Sequence, residues 1–208
     1  MIGAVEEPLL AFIRPVSWLA CRAYFRIRYK GVSNVPLQGP LLVTPNHVSY
    51  ADPVLVGTPV RRPIHYMAWE RLFEVPLLKQ IIPHLHAFPV NTGETDAKAI
   101  RAVIRLLDAG EAVLIFPEGG RSLDGRLQPF KPGAFRLALT RSVPVLPVTI
   151  AGAWKAWPPH RRFPRPGRVT VTFHPPIDPK EIAPAKSLKL RAQLMADRVY
   201  RQVATVFS

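Results

Sequence analysis

The chain has 208 residues, 48% of them apolar and 20% charged, which is enough for one substantial core and too little for two full-sized domains. Its 28 Lys and Arg against 14 Asp and Glu leave a net charge of +14, a balance that points to an anionic partner: nucleic acid, an acidic membrane or a phosphorylated substrate. The single cysteine, Cys21, excludes an intramolecular disulfide and a cysteine-built zinc cage, and fits a reducing compartment.

The first hydrophobic stretch runs from Pro8 to Phe25. Arg14 and Arg22 interrupt it, so no charge-free run reaches the roughly 20 residues a spanning helix needs. Glu6 and Glu7 precede it, where a signal peptide carries positive charge. Leu9, Phe12, Val16, Leu19 or Ala20, and Ala23 recur at helical spacing, with arginines and Trp18, Tyr24 and Phe25 alongside. The pattern predicts an amphipathic helical segment over residues 1–29. Two placements fit it: flat in a membrane interface with arginines at headgroup level, or docked on the domain's own core.

From Lys30 onward, short apolar runs alternate with helical patterns, and the 24 prolines punctuate them closely. Strands are expected at Leu41–Thr44, Ile64–Met67, Ala87–Val90, Ala112–Phe116 and Val145–Ile150. A helix should follow the third, capped by Thr95 or Asp96, with Ala97, Ile100, Val103, Ile104 and Leu107 on its inner face and Gly110 as a left-handed C-cap. A last helix is expected from about Ser187, facing inward with Leu188, Met195, Val199, Val203 and Val206. Residues 30–208 therefore read as one α/β domain, a mixed, largely parallel sheet flanked by helices.

Two constellations carry chemistry. Asn46-His-Val-Ser-Tyr-Ala-Asp-Pro53 follows the strand Leu41–Thr44, at a strand end where ligands sit in α/β sheets. On a continuous helix His47 and Asp52 would stand about 140° apart, but a turn leading into a helix can pair them. Pro53 suits the first helical position, which makes Asp52 the expected N-cap. Asp52 can then hold one imidazole nitrogen while the other serves as a base. The plainer reading keeps Asp52 as a cap and His47 as a satisfied polar residue.

Phe116-Pro-Glu-Gly-Gly-Arg-Ser122 follows the strand at Ala112. Gly119 and Gly120 let backbone N–H groups approach an anion, Arg121 offers a planar fork for a phosphate, and Glu118 can accept from a hydroxyl. Phe130-Lys-Pro-Gly133 then opens a helix and places Lys131 near its positive end. The plainer reading here is a glycine turn with a surface ion pair.

Together, in this order, these blocks resemble the glycerolipid (lysophospholipid) acyltransferase family. The pattern N-H-x-S-x-x-D is met by Asn46, His47, Ser49 and Asp52, and F-P-E-G-T-R-S by Phe116, Pro117, Glu118, Gly119, Arg121 and Ser122. F-K-x-G falls on Phe130, Lys131 and Gly133, and a V-P-V-x-P-V strand on residues 143–148. The resemblance covers about Tyr29 to Pro176. Gly120 stands where the family has Thr, and Thr92 stands where a block of the form F-P-V-x-R has an arginine.

The resemblance implies transfer of a fatty acyl group from acyl-CoA or acyl carrier protein to the hydroxyl of a lysophospholipid, 1-acyl-glycerol-3-phosphate first among acceptors. An amino-acid lipid, phosphodiester or glycolipid acceptor is the alternative that Thr92 keeps open. His47 and Asp52 are the expected catalytic pair, and Asn46, Ser49, Glu118, Gly119, Gly120, Arg121 and Lys131 the expected substrate contacts. No metal or bound cofactor is implied. The expected partners are an anionic membrane surface, the lysolipid and the acyl thioester; the expected location is the cytoplasmic face of the cell membrane, peripheral or monotopic.

Other chemistries fit less well. No G-x-S-x-G elbow supports a serine hydrolase. His65, His84 and His86 lack an accompanying carboxylate cluster for a metal, and Cys21 has no local histidine to activate it. The basic run Pro158–Arg168 invites nucleic acid, yet Trp154, Trp157 and Phe163 beside its arginines suit an anionic bilayer equally, and no nucleic-acid motif is present, which leaves a non-catalytic basic protein binding membrane or nucleic acid as the distant alternative.

Overall fold

A computed structural model describes residues 15, 18, 19, 21–74, 79, 86–90 and 97–207. Seven strands form one sheet: β1 (Arg28–Lys30), β2 (Leu41–Pro45), β3 (Ile64–Trp69), β4 (Ala87–Val90), β5 (Ala112–Leu114), β6 (Val145–Ala151) and β7 (Thr170–Phe173). Their spatial order is β1-β7-β6-β2-β5-β3-β4. The five strands from β6 to β4 are parallel, as alternation with helices requires. β7 runs antiparallel to β6, and β1 pairs parallel with β7 at the edge.

The central strand explains the layering. Leu41, Leu42 and Val43 are all fully buried, so β2 is covered on both faces and reads as a continuous apolar run. Leu41 and Val43 join a cluster with Leu55 and Val56 of helix α1 (Asp52–Gly57), and with Ala153 and Ala156 of the short α4 (Ala153–Ala156). Leu42 points the other way. It packs with Val103 and Leu107 of α2 (Ala97–Asp108), Phe135 and Ala138 of α3 (Gly133–Arg141), and Met195 and Val199 of α5 (Leu188–Ala204). Each of these large apolar side chains contributes about 1.5–3 kcal/mol by leaving water, so helices lie on both faces of the sheet.

The local signals read from sequence largely set these elements. Gly110 takes φ 82° and its N–H bonds to Leu107 O, ending α2 in a left-handed cap. Ser187 caps α5, its hydroxyl accepting from Leu190 N. Several expectations are corrected. β1 and β7 were not foreseen, and β1 begins inside the stretch taken as an N-terminal appendage. β5 stops at Leu114, two residues short of the expected end: Ile115 N still donates to Val43 O (2.9 Å), and Phe116 leads into the loop of the site. The inner face of α2 is Ala99, Val103 and Leu107, with Ala97 and Ile100 exposed. On α5, Leu188 lies exposed, as does Val206 just past its end, and Ala192 and Ala196 join Met195, Val199 and Val203 inside.

Residues 21–25 are helical and lead through Arg26, a non-glycine residue at φ 42°, into β1. Cys21 is buried in the core, as expected of a small apolar side chain. Most of the expected N-terminal segment, Thr92, His84 and the cap at Thr95 or Asp96 lie outside the described residues. Among the described residues no helix is long and apolar enough to cross a membrane.

Candidate active site

β2 delivers the first half of the site. Where its ladder ends, the Asn46 side chain continues the pairing with β6: Nδ2 donates to Ile150 O (3.0 Å) and Oδ1 accepts from Ile150 N (2.7 Å). The chain then turns sharply, and the Asp52 carboxylate is the reason. Its Oδ2 accepts from Val48 N (2.7 Å) and Ser49 N (2.8 Å) and lies 2.8 Å from His47 Nδ1. A carboxylate only accepts, so Nδ1 donates to it, and in the neutral imidazole Nε2 is the nitrogen that keeps a lone pair. Asp52 is fully buried, whereas the His47 side chain retains 16% exposure, enough to meet a substrate.

Asp52 is itself the first helical residue, with Pro53 second, and Ala51 holds the cap position. The expected N-cap role is therefore corrected by one residue. The carboxylate faces back into the turn because two turn amides and an imidazole outbid the helix's own N–H groups.

The second half comes from the loop after β5. Phe116 lies flat against the imidazole, ring centroids 3.6 Å apart and planes 12° from parallel. Glu118 Oε1 accepts from His47 N (2.6 Å), its Oε2 accepts from Gln128 N (3.2 Å), and Ser122 N donates to His47 O (2.8 Å). The backbone of His47 is thus held on both sides by one loop. Burial pushes the Glu118 carboxyl up to about 7; the His47 and Gln128 amides pull the other way, and the Asp52 charge adds to the rise.

The cations follow from close backbone approach. Gly119 takes φ 77°, and a Cβ there would stand 2.6 Å from Lys131 Nζ, so the ammonium rests where only glycine leaves room. Lys131 N also donates to Pro117 O (2.8 Å), fixing the entry to α3. Arg121 lies over the Tyr50 ring, its Cζ 3.8 Å from the centroid. Tyr50 in turn donates to Pro159 O (3.2 Å) and sits 5.5 Å from the Trp157 ring. Gly120 faces open space.

All of this stands at the carboxyl ends of β2, β5 and β6, where open α/β sheets bind ligands. His47, Asp52, Gly119, Gly120, Arg121 and Lys131 come together as the sequence suggested. Asn46, Ser49 and Glu118 are near but occupied: Asn46 ties two strands, buried Ser49 accepts from Ala51 N (3.2 Å), and Glu118 holds two amides. Tyr50 and Phe116 were missed as contacts, although each is an aromatic residue inside its motif.

The other candidates fall elsewhere. His65 Nε2 lies 3.7 Å from Glu111 Oε2 and its ring 5.2 Å from that of His86, at the opposite, amino-terminal end of the strands. Burial, with His86 adding, holds the His65 imidazole below its ordinary value. No group of three or more His, Cys, Asp and Glu among the described residues is placed to hold a metal. Burial pushes the Cys21 thiol up, which suppresses the thiolate a nucleophile needs.

A mostly parallel α/β sheet that carries an oriented His–Asp pair at one strand end and a cation-bearing glycine loop at the next defines a class of group-transfer fold. Residues 26–151 match the family model described as Acyltransferase, and the chain belongs to that family. It is 28% identical over 158 residues to a chloroplastic 1-acyl-sn-glycerol-3-phosphate acyltransferase of Brassica napus, covering 74% of this chain and 46% of that protein. To the 1-acyl-sn-glycerol-3-phosphate acyltransferase of Bacillus subtilis it is 31% identical over 120 residues, 57% of this chain and 59% of the other. The fold matches the crystal structure of the 1-acyl-sn-glycerophosphate acyltransferase PlsC from Thermotoga maritima with a TM-score of 0.78 and 29% identity, over 96% of this chain and 80% of that one. The chain spans about half the length of the plant and algal relatives it matches.

Proposed function

We propose that this chain transfers a fatty acyl group from an acyl thioester, acyl-CoA or acyl carrier protein, to the free hydroxyl of 1-acyl-glycerol-3-phosphate, giving phosphatidic acid. The observation that carries the reading is the His47 Nδ1 to Asp52 Oδ2 contact of 2.8 Å, anchored by two turn amides beside a loop that presents Arg121 and Lys131. His47 Nε2 takes the hydroxyl proton as the oxygen attacks the thioester carbonyl. The C–S bond then breaks, the new ester forms, and the imidazolium returns the proton to the departing thiolate. Asp52 stabilises the imidazolium, while Arg121, Lys131 and the Gly119–Gly120 backbone hold the phosphate. As written, the reaction draws on side chains and the two substrates, with no further cofactor.

The lysolipid lives in a bilayer, so the reading includes an anionic membrane surface at the cytoplasmic face, with the N-terminal residues as a peripheral or monotopic anchor. The names of the relatives support the acceptor. Thr92, in the family's arginine position, keeps a less anionic lysolipid as the competing acceptor. The test is an acyl-transfer assay with detergent-dispersed lysophosphatidic acid, lysophosphatidylcholine and an amino-acid lysolipid against both donors. Lysophosphatidic acid should be preferred. Turnover only of a neutral or zwitterionic acceptor would displace it, and turnover of none would end the acyltransferase reading.

A further inference from the structure

The antiparallel turn of β7 has a spatial result: the segment joining β6 to β7 leaves from the carboxyl ends of the parallel strands, the same end as His47. That segment, residues 152–169, is braced throughout. Trp157 Nε1 donates to Arg161 O (3.1 Å), Arg165 N to Ala156 O (2.8 Å) and Arg161 N to Pro158 O (3.0 Å). Tyr50, from the His47 turn, donates to Pro159 O. Tyr24 donates to Pro164 O (3.0 Å) and accepts at its carbonyl from Gly167 N (3.3 Å), which joins the N-terminal helix to the same surface. Four prolines, Pro158, Pro159, Pro164 and Pro166, stiffen it further.

At the tip of this rigid segment Phe163 is 68% exposed, with the Arg162 guanidinium carbon 5.3 Å from its ring centroid. Arg162, Arg165 and Arg168 are exposed, as are Arg22 of the adjoining helical residues, 5.0 Å from the Trp18 ring centroid, and Arg26 just after them. None of the five meets a carboxylate among the described residues, and from Ala151 to Ile177 the chain has no Asp or Glu at all. A large apolar side chain held out in water by a preordered loop, with one guanidinium over its ring and four more exposed on the same and adjoining segments, has the chemistry of a bilayer contact: ring among the acyl chains, arginines at the lipid phosphates.

We propose that residues 158–168 form a second membrane anchor, separate from the N-terminal segment, which seats the His47 end of the sheet on an anionic bilayer with Phe163 inserted. This deepens the lipid-acyltransferase reading and rests on it for the choice of a bilayer over nucleic acid.

The test is co-sedimentation of the full chain with phosphatidylcholine vesicles, with and without phosphatidylglycerol, run beside acyl transfer to dispersed lysophosphatidic acid. Removing one juxtamembrane arginine should lower partitioning about fivefold, and removing an inserted phenylalanine about tenfold. An Arg162→Gln/Phe163→Ser/Arg165→Gln variant should therefore lose on the order of a hundredfold in binding to the anionic vesicles while keeping its activity on dispersed acceptor. Phe163→Ser alone disturbs none of the bracing bonds, and its thermal midpoint should match wild type. Unchanged sedimentation of the triple variant overturns the proposal. So does tighter wild-type binding to duplex DNA than to anionic vesicles at the same salt. A wild type that binds vesicles through this loop yet acylates no lysolipid defeats the reaction and leaves the anchor standing.

Discussion

Asp52→Asn separates orientation from charge at the proposed base. Asn can place its carbonyl oxygen where Oδ2 now accepts from Val48 N, Ser49 N and His47 Nδ1, so the turn keeps its shape. The negative charge is lost. An imidazolium 2.8 Å from a carboxylate gains about 6 kcal/mol at an effective dielectric near 20, against about 1–2 kcal/mol for the hydrogen bond that a neutral amide retains. The difference of about 4 kcal/mol falls on the transition state and lowers kcat about 10³-fold, with little change in KM for either substrate. The amide nitrogen would also occupy the place of Oδ1, which is buried and has no partner among the described residues, at a stability cost of about 1–3 kcal/mol. Release of free thiol from acyl-CoA gives kcat and KM, and thermal unfolding gives the second quantity. His47→Ala should fall about 10²–10⁴-fold, and the double variant no further, because the two residues act as a unit. A folded Asp52→Asn with kcat within about tenfold of wild type would refute the base assignment.

Three further outcomes are expected. Glu118 holds a proton in the folded chain up to a pH of about 7, against an ordinary value of 4.5, so this group's contribution to stability is full below 4.5 and declines as pH rises to about 7. Denaturant midpoints across that window should slope downward in wild type by at most about 3 kcal/mol and lose that slope in Glu118→Gln. Gly119→Ala drives a methyl group into Lys131 Nζ at a left-handed backbone position, and should cost about 1 kcal/mol of stability and raise KM for the phosphate-bearing acceptor, whereas Gly120→Thr meets open space and should change stability by no more than about 0.5 kcal/mol. Tyr50→Leu removes the ring beneath Arg121, in the loop that grips His47, so titration of initial rates with lysophosphatidic acid should show a higher KM together with a lower kcat.

The central strands and the His47–Asp52 pairing were legible because each is a local signal: a buried apolar run, a proline at a helix start, a turn five residues long. β7 was also within reach. Val169, Val171 and Phe173 alternate between proline-rich flanks and are all buried, a period-two pattern made short by the basic, proline-rich run that directly precedes it. β1 offers no such pattern, since Arg-Tyr-Lys becomes a strand only by adding to β7. The misplaced face of α2 has a physical source too. Large side chains at Ile100 and Ile104 suggested the inner stripe, but the helix meets the sheet through the small Ala99, one position away. Glu118 was the least legible. Its partner is a backbone amide 71 positions away, and a hydrogen bond to an amide leaves no mark in the partner's residue type.

The suspension of His47 between Glu118 and Ser122 joins two events that a flexible site would keep apart. The loop that grips the backbone of the base also carries Arg121, so any shift of that loop on meeting a phosphate is transmitted to the imidazole through its own peptide groups. An acceptor with the same hydroxyl but no phosphate, such as a monoacylglycerol, then leaves the base imperfectly set. It should react slowly even when saturating, because the energy of headgroup recognition reaches the chemical step and is not confined to affinity. On the proposed reaction, headgroup selectivity should therefore be expressed in turnover, where raising the concentration of a wrong lipid cannot overcome it.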